Sequence, residues 1–309
     1  MTGSVGADHS AIQPVGTARR RRNRTIARLV VAVLFCGLAL ISLTAVFVET
    51  RAGQRVDDAA LRGRVVEHPK TSHRSNRLLR TISVGSLAFF GVSLMGVALV
   101  RGRWNLAAGV GAVIVGSNAT TQLFKLAVHR PHLLLGPINP IPFNTLPSGH
   151  STVAASLAAA LVLVVPVRLR PLAAFFGALY ACGIAAMTLA AGWHRPSDAV
   201  SAFAVVGIWT FGVSALLVWM RGTGSPRVSE GLPGLLIGMI VVLGLAFGGI
   251  TLSTTLDTAN GFHAVRLGLA YVVALGSIVA VGVVFIVSEV LLLRGVSLDA
   301  PRRDRSAWT

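Results

Sequence analysis

The chain has 309 residues, of which 53% are hydrophobic and 13% charged, with a mean hydropathy of +0.72. A soluble domain carries about 25% charged residues, so these values exclude a soluble globular protein. The net charge of +17 does not imply nucleic acid as a partner, because most arginines fall in short segments between apolar runs, where they set membrane topology and meet anionic lipid headgroups.

Apolar runs of about 20 residues recur along the chain, each long enough to cross a bilayer as a helix. The fold class implied is all-α, a polytopic membrane bundle of about eight transmembrane helices. Residues 1–28 are read as a disordered cytoplasmic N-terminus that ends in a basic cluster, Arg19, Arg20, Arg21, Arg22 and Arg24. The first span, 29–48, exceeds the usual signal-peptide core of about 7–15 residues and reads as a retained anchor. Residues 49–80 read as a polar loop of mixed charge that holds Asp57, Asp58, Glu67, Arg74, Arg77 and Arg80. The second span, 81–100, is closed by Arg101 and Arg103, with Trp104 as an interfacial anchor.

The third span, 106–124, ends at Lys125, and a loop rich in Pro and His leads to a fourth span at 148–167. The fifth span covers 171–191, a tight junction runs through 194–198, and the sixth covers 199–220. Residues 29–220 thus form a six-span core, followed by a linker at 221–231, a unit at 232–293 with two further spans, 232–252 and 267–293, and a cytoplasmic tail at 294–309. Cys36 and Cys182 lie inside apolar runs and read as small core residues. With the N-terminus inside, Arg101, Arg103, Arg168, Arg170, Arg221 and Arg294 all fall on the cytoplasmic side. The basic first outer loop departs from that rule, either as an external site for anionic partners or as an imperfect bias. The same topology puts Lys125, His150, His194 and Asp198 on the outer side.

Ionisable groups at the edge of a membrane span are expensive and are usually functional. In Pro147-Ser148-Gly149-His150, Ser148 is a favoured helix N-cap and Gly149 admits a close ligand. The first amides of the following helix are unpaired and form an anion site, with His150 placed to protonate a leaving oxygen. In His194-Arg195-Pro196-Ser197-Asp198, a His and an Asp four apart face each other on a helix. The carboxylate then fixes one imidazole tautomer, which suits a nucleophile or a general base. The plainer alternatives are an N-cap followed by an interfacial His, and a polar turn between spans. Lys125 and Arg130 have the charge to hold phosphate oxygens, while a snorkelling interfacial Lys125 is the alternative. Asn118 and Gln122 share the Lys125 face and are read as interhelical hydrogen bonders. No metal-ligand spacing appears, and Asp198 is read as the sole acidic residue near the site.

Over residues 106–220 the pattern resembles the type 2 phosphatidic acid phosphatase superfamily, the membrane lipid phosphatases. Pro147-Ser148-Gly149-His150 matches its second motif fully, and His194 with Asp198 matches the third. In the first motif Lys125 fits, but the Arg-Pro positions hold His132 and Leu133, with Arg130-Pro131 two residues early. The Ser-Arg positions of the third motif hold Met187 and Thr188. The resemblance implies metal-independent hydrolysis with no cofactor. In that scheme His194 attacks phosphorus, Asp198 orients it, and His150 protonates the leaving group. Lys125, Ser148 and Gly149 cradle the phosphoryl oxygens, and Arg130 and Arg195 stand as candidate replacements for the displaced arginines. The implied activity is hydrolysis of a phosphomonoester or diphosphate of a lipid at the outer face of the plasma membrane. Phosphotransfer or binding without turnover are the alternatives. The partners expected are the lipid phosphate and membrane lipids, with the last two spans read either as a homo-oligomer surface or as an appended element.

Overall fold

The computed structural model describes residues 15–67, 79, 84–133, 143–223 and 263–298. Among them the regular structure is helical: α1 (Val15–Phe47), α2 (Arg51–Glu67), α3 (Val84–Val100), α4 (Trp104–Ala127), α5 (Gly149–Val164), α6 (Arg170–Ala190), α7 (Pro196–Arg221) and α8 (His263–Leu292). Helices α1, α6, α7 and α8 are each long and apolar enough to cross a membrane, and α3 and α5 contribute shorter apolar stretches. With its 24 residues, α4 has the length to span, but its second half carries Asn118, Thr120, Thr121, Gln122 and Lys125. The chain is therefore a helical membrane protein, while the expected count of eight spans is not reproduced by the described residues. The expected span at 232–252 and most of the linker before it lie outside them.

Two segments depart from expectation. Helix α1 starts at Val15 and absorbs the basic cluster, so 15–28 is helix, while 1–14 lies outside the described residues. Arginine is a good helix former, and Gly16 is the last Gly or Pro before Gly37, so the helix propagates backwards from the apolar run. The segment 49–80, expected as a polar loop, instead holds the helix α2. Its inward face is Gln54, Asp57, Asp58 and Leu61, all buried, while Arg51, Arg55 and Arg62 are exposed. The spacing is helical, but most of the inward residues are polar, so hydropathy does not reveal the stripe.

Helix α1 packs along α7, α5 along α6, and α2 lies across α8. The α5–α6 contact uses small residues: a Cβ added at Gly177 would sit 3.1 Å from that of Ala158. Gly63 of α2 meets the α8 backbone so closely that an added Cβ would lie 1.8 Å from the Leu267 carbonyl oxygen. At one end of the bundle, arginines tie the helix ends together. Arg21 donates to the Gly295 carbonyl, Arg101 Nη1 to that of Val164 at 3.2 Å, and Arg170 Nη1 to those of Leu293 and Val296 at 3.0 and 2.8 Å. The opposite end holds α2, the first turns of α5 and α8, and the α6–α7 turn.

Candidate active site

The site is built on two helix N-termini. Helix α7 starts with Pro196 in its first turn, where the missing N–H costs nothing, and Arg195 is the N-cap. The third helical residue, Asp198, reaches back so that its Oδ2 accepts the Arg195 backbone N–H at 2.9 Å. The same oxygen lies 3.3 Å from His194 Nδ1 and accepts the Thr145 hydroxyl. Asp198 is therefore both a helix cap and a carboxylate placed to favour the His194 tautomer with its proton on Nδ1. The turn ahead of it is set by Gly192 at φ +76° and by Thr188, whose carbonyl accepts the N–H groups of Trp193 and His194 at 3.0 and 3.3 Å.

Helix α5 is stitched to this turn by its own N-cap. The Ser148 backbone N–H donates to the Asp198 carbonyl at 2.7 Å, while Ser148 Oγ accepts from the Ser151 N–H and hydroxyl at 3.3 and 3.0 Å. That pairing brings two distant segments together and sets the His150 ring 6.4 Å, centroid to centroid, from that of His194. Trp193 packs edge-on against His150 at 5.2 Å. From the last turn of α4, Lys125 reaches the start of α5: a Cβ added at Gly149 would lie 3.5 Å from Lys125 Nζ and 3.6 Å from Gln122 Nε2. Lys125, Gln122, Gly149, His150 and His194 thus border one place, beside amides that a helix N-terminus leaves unpaired. Of the two polar residues expected between helices, Asn118 donates to the Ile114 carbonyl at 2.8 Å and reaches Ser156 Oγ at 3.5 Å, whereas Gln122 joins the cradle.

Arg130 and Arg195 are also brought here, and both are buried. Their partners come from α2, which corrects the expectation that Asp198 stands alone among acidic residues. Arg130 Nη2 is 3.5 Å from Asp57 Oδ2, and Arg195 Nε is 3.6 Å from Asp58 Oδ1. Asp57 also accepts the Ser197 N–H at 3.2 Å and its hydroxyl at 2.6 Å. Arg195 Nη1 lies 3.4 Å from Thr145 Oγ1, whose proton goes to Asp198. Burial, and then the nearby Asp198, push the Asp57 carboxyl up to about 7, against the pull of Ser197 and Arg130. Burial and the neighbouring Arg195 lower the Arg130 pKa, and Asp57 opposes them. The motif positions that hold Met187 and Thr188 supply no charge. Met187 packs against the core, and the Thr188 hydroxyl donates to the Ala185 carbonyl at 2.7 Å.

Sequence reasoning missed Asp57, Asp58, Thr145 and Trp193. The signal for the first two was the helical spacing of Gln54, Asp57, Asp58 and Leu61; no local signal marks Thr145.

Residues 106–223 match the profile of the PAP2 superfamily. This is the superfamily that the motifs of the segment resemble, and the match points to phosphatase-type activity in a membrane protein. No curated protein and no solved structure matches the chain.

Proposed function

We propose that the protein is an integral membrane phosphatase. It hydrolyses a phosphomonoester or diphosphate of a lipid, such as a polyprenyl diphosphate or phosphatidic acid, through a phosphohistidine, with its site at the outer face of the plasma membrane. The observation that carries the reading is the 6.4 Å spacing of the His150 and His194 rings, with Asp198 on Nδ1 of His194. A reacting phosphorus needs nucleophile and proton donor each within about 3–3.5 Å of the atoms they engage, and this spacing accommodates a phosphoryl group between the rings. His194 Nε2 forms the bond to phosphorus as the bond to the leaving oxygen breaks, and His150 gives that oxygen a proton. Water then attacks the phosphohistidine, His150 takes the water proton, and the P–N bond breaks. Lys125 and the first amides of α5 hold the non-bridging oxygens.

The test is phosphate release from a panel of lipid phosphates by detergent-purified protein in EDTA, beside His194→Ala. Release that survives the chelator and vanishes in the variant supports the reading. Release abolished by EDTA and restored by a divalent metal overturns it. One observation favours a second reading, a lipid-phosphate binder without turnover: both candidate replacement arginines already face Asp57 and Asp58. Binding of a lipid phosphate with no release of phosphate identifies that case.

A further inference from the structure

The carboxylates of α2 lie outside the segment that matches the family, yet they meet the arginines beside the catalytic histidine. Asp58 Oδ1 faces Arg195 Nε, Arg195 Nη1 faces Thr145 Oγ1, the Thr145 hydroxyl donates to Asp198 Oδ2, and that oxygen holds His194 Nδ1. Every member of this series is buried. We propose that Asp58 is a positioning residue that engages the Arg195 guanidinium so that Asp198 remains committed to His194, with Asp57 doing the same for Arg130. The proposal rests on the histidine reading of the site.

The reason is charge balance. Without α2, two guanidinium groups, Arg130 and Arg195, would share Asp198, the one carboxylate then left beside them among the described residues. A buried guanidinium that loses a carboxylate is destabilised and is drawn towards the nearest one that remains. The nearest carboxylate for Arg195 is within reach: Thr145 already links the two groups, and Asp198 Oδ1 has no hydrogen-bond partner among the described residues. An Arg fork engages both oxygens of a carboxylate in its favoured geometry. Such a pairing would draw Asp198 off the imidazole and free the His194 ring to turn. The charged or titratable groups that face His194 and Asp198 are His150 from α5, Lys125 from α4, Arg130 from the connector after α4, Asp57 and Asp58 from α2, and Arg195.

The test reads the hydrogen-bonded Nδ1 proton of His194 by NMR of histidine-labelled full-length protein in detergent, without substrate, so it stands whether or not phosphate is released. Wild type and Arg195→Gln show the downfield proton, and Asp58→Asn loses it. Adding Arg195→Gln to Asp58→Asn restores it, because the competitor for Asp198 is gone. Where turnover is measurable, Asp58→Asn lowers kcat by about 10–100-fold with little change in KM. An Asp58→Asn protein that keeps the proton signal overturns the proposal. So does a double variant no richer in the signal than Asp58→Asn, because a purely structural role for Asp58 predicts that second loss to add.

Discussion

Replacing Gly149 by Ala separates the phosphate cradle from the fold. Gly149 is the first residue of α5, and its φ is not in the left-handed region, so an alanine strains no backbone. The added Cβ meets Lys125 Nζ at 3.5 Å and Gln122 Nε2 at 3.6 Å, which is ordinary contact distance. Alanine is favoured over glycine within a helix by about 0.5–1 kcal/mol, so the variant is expected to melt at the wild-type temperature or up to a few degrees above it. Catalysis responds in the opposite sense. The methyl occupies the ground between the α5 amides and Lys125 where a phosphoryl oxygen sits in the proposed mechanism. Losing one such donor costs about 3–4 kcal/mol, or roughly 10²–10³ in kcat/KM. The assay pairs a thermal melt in detergent with initial rates of phosphate release across substrate concentration. A Gly149→Ala protein with unchanged melting and undiminished kcat/KM refutes the cradle, and a protein that melts well below wild type refutes the packing argument.

Three further outcomes are expected. Asp198→Asn keeps the helix cap but cannot fix the Nδ1–H tautomer, so kcat falls by about 10³–10⁴ with KM little changed, measured on the same release assay. With its pKa raised to about 7, Asp57 binds a proton more tightly in the fold than in the unfolded chain and is a carboxylate above that pH. That contribution is fully present below the ordinary carboxylate range and is lost as pH rises through about 7. Melting temperature therefore declines over that window in wild type, and less so in Asp57→Asn. At Gly192, with φ +76° and the Arg64 guanidinium 2.3–2.7 Å from where a Cβ would stand, alanine costs about 1–2 kcal/mol, read as a lower melting temperature.

Much of this was legible because membrane helices and helix caps write themselves locally. The apolar runs gave helices at α3 to α8 within a few residues, and Ser148 acts as the cap that its residue type suggests. His150 and His194 fall within reach of each other because both motifs lie at helix starts, and α5 and α7, with one helix between them, begin at the same end of the bundle. What stayed hidden was α2. Its buried stripe is Gln54, Asp57 and Asp58, residues that hydropathy assigns to solvent, and their partners Pro131, Arg130, Ser197 and Arg195 lie far along the chain. Tertiary pairing of that kind leaves no trace in local composition. The helical start at Val15 was missed for the related reason that charge was read as disorder, although arginine tolerates a helix well.

The contact between Asp57 and Ser197 joins residues 140 apart in sequence. During synthesis α2 emerges early, with two carboxylates and no partners to meet them. Its seat does not exist until α7 and then α8 have been made and inserted. One of the first segments made therefore cannot complete its contacts until α7 has been made. A chain released before α8 carries every motif residue and lacks the helix against which α2 packs. Grafting residues 106–223 alone into another membrane protein would likewise transfer two buried arginines without the helix that neutralises them.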